Sequence, residues 1–172
     1  MKRTLQVIAV TLVVTVAVES IAFAVDSKNT AYCGGTVPGF DGAKDVVEGT
    51  LDTKNSTQLV FTALDKPFRG KTFGIPYDRV IDLEYGQKAG RRVGTAVATT
   101  VLFGPIGLLS LFSKKRKHYL TVGFKGTSGM DEVAVFELGK DIVRTTLPII
   151  ETRSGKKIEY QDEEARKSGK GN

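Results

Sequence analysis

His118 is the single histidine in a chain of 172 residues. An imidazole base needs an acid to orient it, and the neighbours here are the cations Lys114, Lys115, Arg116 and Lys117, which favour a neutral ring. The expectation is a surface histidine without a catalytic role. Asp82 and Glu84 flank Leu83, a spacing that puts both carboxylates on one face of a strand. That pair is open to glycosidase-type acid–base work, but a solvated strand face is the simpler reading. The lone Cys33 admits lipid modification, an intermolecular disulfide or an inert thiol in a leader segment. Lipidation needs a cysteine directly after an apolar stretch and small residues, whereas Asp26, Lys28 and Tyr32 intervene. Common metal sites take several His or Cys ligands and this chain has one of each, so no metal and no cofactor is expected. Gly123-Phe124-Lys125-Gly126 fits no phosphate loop. No catalytic constellation emerges, and the chain reads as a non-enzyme.

Residues 1–24 carry the three zones of a secretory signal peptide. Lys2 and Arg3 precede an apolar run from Leu5 to Val18, and Ala22-Phe23-Ala24 supplies small residues for cleavage after Ala24. The alternative is an uncleaved anchor, in which Glu19 would sit within the span at a cost of about 2.5–3.5 kcal/mol near a helix centre. Export to the periplasm follows, as a free protein or one associated with a membrane. The cleaved chain, roughly 150 residues long, suffices for one domain and a core without disulfides. Its formal charge falls by one from +6 as Lys2, Arg3 and Glu19 depart, a mild excess that does not call for nucleic acid.

Residues 25–45 contain Gly34, Gly35, Pro38, Gly39 and Gly42 with few large apolar residues, which predicts a flexible linker. From Val46 the period is two. Leu59, Phe61 and Ala63 form one stripe, Phe73, Ile75 and Tyr77 another, and Ile81, Leu83 and Tyr85 a third, with Asp82 and Glu84 facing away. Leu120, Val122 and Phe124 repeat the pattern, and a turn at Gly126–Gly129 leads into a strand over 132–138. The period then becomes helical, with Ile142, Val143, Thr146, Leu147 and Ile150 on one face, Asp141 as a cap and Gly155 as a stop. Pro148 predicts a kink or break around 145–148. Residues 161–172 are charged and predict a disordered tail.

The fold class is mainly β, with one carboxy-terminal helix closing a small antiparallel barrel. This plan resembles the pleckstrin-homology-like domains, including their GRAM-type and bacterial versions, over about 46–160. The resemblance rests on Phe73-Gly74-Ile75-Pro76-Tyr77-Asp78-Arg79-Val80-Ile81-Asp82-Leu83-Glu84-Tyr85-Gly86, on Lys117-His118-Tyr119-Leu120-Thr121-Val122, and on Phe136-Glu137-Leu138 before the helix. It implies seven strands and a binding role toward lipids or peptides. Lipid headgroups in that family are commonly held by basic residues between the first two strands. The corresponding loop, taken here as 51–56, offers only Lys54, which speaks against a phosphoinositide pocket.

The segment 93–112 is twenty residues without a charge, long enough for one membrane span. Gly104-Pro105-Ile106-Gly107 interrupts it, and the strands on either side must share one barrel. An apolar helical hairpin satisfies both constraints. Val93, Val97, Val101, Leu102 and Phe103 would descend and Leu108, Leu109, Leu111 and Phe112 return, eleven helical residues reaching about 16 Å, half a bilayer core. Lys88, Arg91, Arg92, Lys114, Lys115, Arg116 and Lys117 would then meet anionic headgroups, each contributing about 1 kcal/mol. Packing of the hairpin back onto the barrel is the equal alternative. The leading expectation is thus a non-catalytic module associating with an anionic membrane surface or a membrane protein. A soluble periplasmic domain binding a protein or peptide along a sheet edge is its rival.

Overall fold

The computed structural model describes residues 26–40, 43, 46–87 and 117–171. The expected leader 1–24 and insert 93–112 lie outside them. The described chain is mainly β, with eight strands and two helices. The strands are β1 (Asp26–Gly35), β2 (Val47–Asp52), β3 (Gln58–Ala63), β4 (Thr72–Pro76), β5 (Val80–Gly86), β6 (His118–Lys125), β7 (Asp131–Leu138) and β8 (Ile158–Tyr160). They form one sheet in the order β4-β3-β2-β1-β7-β6-β5-β8. Every pairing is antiparallel except β5 with β8, so the sheet is mixed where an antiparallel one was expected.

Connectivity curls this sheet. In a flat sheet β4 and β5 would lie about 29 Å apart, six spacings of about 4.8 Å. Only the single 3-10 turn Tyr77–Arg79 joins them, and a link of that length reaches at most about 14 Å. The sheet therefore bends round until the end of β4 comes within that reach of the start of β5. The bend encloses Leu59, Phe61, Leu83, Leu120, Val122 and Phe136, each at most 2% exposed. Phe73 stacks on Phe136 across the enclosure, with ring centroids 6.0 Å apart. The inward stripes read from the alternation of β3 and β6 are the ones that face this core. In β5 a register shift between Val80 and Asp82 alters the stripe, so that Val80 is buried and Ile81 is 38% exposed.

Helix α1 (Val143–Ser154) closes the core with Val143, Thr146, Leu147 and Ile150, the face expected from the sequence. Gly155 ends it at φ 67°, a left-handed cap that suits glycine. The cap position at its start belongs to Ile142 rather than Asp141, with no side-chain cap bond. The helix also runs unbroken through Pro148. The proline removes the hydrogen bond owed to the Arg144 carbonyl, but Arg144 and Pro148 are both exposed, so water can replace it.

Two segments expected to be irregular are ordered elements. The linker contains β1, which lies mid-sheet between β2 and β7. Its glycines suit close strand approach: the register shifts between Tyr32 and Gly34, and a Cβ on Gly35, whose φ is 142°, would collide with the Val133 carbonyl. The tail contains α2 (Glu163–Lys170), where the Asp162 carboxylate accepts from the Ala165 amide at 2.7 Å. Its buried residues are Ala165 and Gly169. A helix that docks through small residues needs none of the large apolar ones whose lack suggested disorder.

Candidate functional site

The mouth of the β5–β6 hairpin is the place from which the insert departs. Six register positions pair these strands, ending with Gly86 opposite Tyr119. The chain therefore leaves the sheet at Gln87 and returns at Lys117 side by side. Of the residues assigned to membrane contact, Val93, Val97, Val101, Leu102, Phe103, Leu108, Leu109, Leu111 and Phe112 lie outside the described residues. So do Lys88, Arg91, Arg92, Lys114, Lys115 and Arg116 of the basic groups. Lys117 is described, and its Nζ pairs with Glu137 Oε2 of β7 at 2.8 Å.

Beside Lys117, His118 is more than a surface residue. Its Nδ1 lies 2.6 Å from the phenol oxygen of Tyr85, and Ser168 Oγ of α2 sits 3.3 Å from that oxygen and 3.5 Å from Nδ1. Burial first, then Lys140, lowers the His118 pKa, with Glu137 pulling the other way. Burial raises that of Tyr85, against the bond to Ser168. Both shifts favour neutral partners, so the trio works as a hydrogen-bonded tie between β5, β6 and α2. Tyr160 meets Tyr85 edge-on at 5.9 Å, and Lys170 Nζ lies 5.3 Å from the Tyr160 ring centroid.

The outer face of the same strands differs from expectation. Asp82 and Glu84 do point away from Leu83, but Glu84 is 8% exposed rather than solvated. Its register partner on β8 is Glu159, and an open cleft of about 300 Å³ lies among Glu84, Glu159, Tyr160 and Gln161. The Asp82 pKa is raised by burial and by Glu159 and Asp131, against the Gly123 amide bond. Further along that face Ala31, Cys33, Tyr119, Val133 and Val135 are buried, yet none belongs to the core cluster. Leaving a valine of this kind in water costs about 1.5–3 kcal/mol, so the second apolar surface matters energetically. Burial, followed by Glu137, pushes the Cys33 thiol up to about 12, which makes it a poor nucleophile. Cys33 thus sits in a strand within folded protein, not in a leader segment.

The loop 51–56, which corresponds by resemblance to the family's headgroup loop but offers only the cation Lys54, joins β2 to β3 and is braced from within. Asp52 accepts from the Lys54 amide at 2.6 Å, and Arg153 of α1 donates to the carbonyls of Thr53 and Asn55. Among the described residues no group of three or more His, Cys, Asp or Glu is placed to hold a metal ion, and no helix is long and apolar enough to cross a membrane. The His118–Tyr85–Ser168 tie has no local sequence signal, because its members lie on three elements far apart in the chain. No protein-family model matches the chain, and no curated protein matches it.

Proposed function

We propose that this chain is an exported, non-catalytic module of pleckstrin-homology-like type that associates with an anionic membrane surface, or a membrane partner, through residues 93–112 and the flanking cations. The observation that carries the reading is the pairing of Gly86 with Tyr119. A segment crossing a bilayer once would leave its two flanking strands in different compartments. Here the flanking strands are hydrogen-bonded neighbours, so an apolar stretch as long as a span has to come back. A shallow hairpin does this and presents both basic groups to the same headgroup layer. Lys117 is engaged with Glu137, which leaves Lys88, Arg91, Arg92, Lys114, Lys115 and Arg116 to supply that attraction.

The family reading is supported by the strand order, in which β1–β4 and β5–β7 are two meanders joined through β1 and β7, with a helix closing the core. β8 and α2 are additions to the seven-stranded plan. Delivery to the periplasm by cleavage near Ala24 completes the proposal.

The protein purified from the exporting cell should co-sediment with vesicles containing phosphatidylglycerol and far less with phosphatidylcholine alone. Binding should vanish when 93–112 is replaced by a short Gly-Ser turn in a protein that still melts cooperatively. Undiminished binding after the replacement defeats the proposal. The rival, a periplasmic module that takes a peptide at a sheet edge, is favoured by β8, a three-residue strand with no neighbour on its outer side among the described residues. It expects no vesicle binding and a cross-linked partner that survives detergent.

A further inference from the structure

We infer that the outer face of β1, β7, β6 and β5 is the bed on which the chain's own apolar segment, Val93 to Phe112, lies when the protein is in water. The two halves of the sheet differ. Strands β2 and β3 alternate between buried and more accessible residues, as strands with one covered face do. Strands β6 and β7 each carry four consecutive buried residues, Tyr119–Val122 and Val133–Phe136. Alternate residues of each run, Leu120 and Val122, Ala134 and Phe136, face the core, and the others face outward. Val133 and Val135 on the outward side are 0% and 1% exposed. Among the described helices, α1 and α2 place Val143, Leu147, Ile150 and Ala165 in the core cluster, on the opposite side.

Three further observations name the occupant. Tyr119, a member of the outer patch, is the register partner of Gly86, so the segment leaves and rejoins the chain at a corner of that patch. The tethers 88–92 and 113–116 reach about 14–17 Å, and three strand spacings of about 4.8 Å span the patch. Charge is complementary as well. Asp82, Glu84, Glu137 and Glu159 share that face, and the basic groups at both ends of the apolar stretch would come down beside them. Lys117 with Glu137 is one such pair already formed. The inference concerns the protein without lipid and stands apart from the membrane reading.

Cys33 lies in the bed and is the chain's one thiol, so it reports the cover directly. In the protein purified after export, a maleimide should modify Cys33 at least about tenfold more slowly than in the variant with 93–112 replaced by a Gly-Ser turn. A full-length variant, Leu108→Asp with Leu109→Asp, should also label fast, which guards against misfolding of the shortened chain. Fast labelling counts only for a variant that still melts cooperatively. Fast labelling of the unaltered exported protein overturns the inference and points to the leader as the cover. Protection that fades on dilution overturns it in favour of a second copy, and slow labelling of both folded variants overturns it outright.

Discussion

The phenol oxygen of Tyr85 lies 2.6 Å from Nδ1 of His118, joining adjacent strands at the point where the insert begins. Because burial lowers the His118 pKa below its ordinary 6.5, the folded protein holds fewer protons at this ring than the unfolded chain does. Its contribution to stability is complete above about pH 6.5 and is lost as the pH falls through the lower folded value. The groups facing the ring, Tyr85, Ser168, Lys140 and Glu137, offer one carboxylate against this loss. Asp82 and Glu132 have raised pKa values and act in the opposite sense, losing stability as pH rises above their ordinary 3.8 and 4.5. Melting curves of the unaltered protein and of His118→Asn between pH 7.5 and 5.5 isolate the histidine. The unaltered protein should lose the greater stability on acidification, and parallel curves refute the assignment.

Gly169 of α2 is packed so closely that a Cβ there would lie 2.7 Å from a Tyr160 ring carbon and 3.1 Å from Leu147. Alanine at an exposed helix position would stabilise by up to about 1 kcal/mol over glycine. Overpacking here costs about 1–3 kcal/mol and should win. Gly169→Ala is therefore expected to lower the melting temperature. A raised melting temperature for Gly169→Ala would show that α2 is not seated on Tyr85 and Tyr160 as described.

The core stripes of β3 and β6 and the buried face of α1 were legible because large apolar residues recur there at the strand and helix periods. β1 was not, since its inward positions include Thr30 and its glycines are the same residues that mark linkers. α2 escaped notice for a related reason, because Ala165 and Gly169 dock it without a large side chain. The second apolar face did have a signal. Val133-Ala134-Val135-Phe136 is a continuous apolar run, the mark of a strand covered on both sides. The tie of Tyr85, His118 and Ser168 joins residues 33, 50 and 83 positions apart, so only the fold brings them together.

Arg153 links α1 to the loop between β2 and β3 by donating to the carbonyls of Thr53 and Asn55, and its guanidinium lies 5.6 Å from the Tyr77 ring centroid. Hydrogen bonds from a charged donor contribute about 1.5–3 kcal/mol each. Arg153→Ala should lower the melting temperature by several degrees, on the order of 2–4 °C per kcal/mol for a chain of this size. Both bonds come from one nitrogen, Nη1, while the guanidinium plane lies by the Tyr77 ring; lysine keeps the charge but not that plane, so Arg153→Lys should recover only part of the loss. Full recovery would mean that charge alone, without the guanidinium plane, holds the loop.

As proposed above, the apolar segment has two competing environments, the outer face of its own sheet and the interior of a bilayer. Moving from one to the other exchanges apolar burial for apolar burial, so the balance rests on the cations, which meet carboxylates on the sheet and phosphate headgroups on lipid. Anionic vesicles should therefore draw the segment off the sheet and speed maleimide labelling of Cys33, whereas neutral vesicles should leave it slow. Raising the ionic strength screens the exposed headgroups more than the buried and half-buried carboxylates of the sheet, so it should restore slow labelling by returning the segment to its apolar bed. If anionic vesicles bind the protein without changing the labelling rate, the cover over Cys33 and the membrane-contacting element are different parts of the chain.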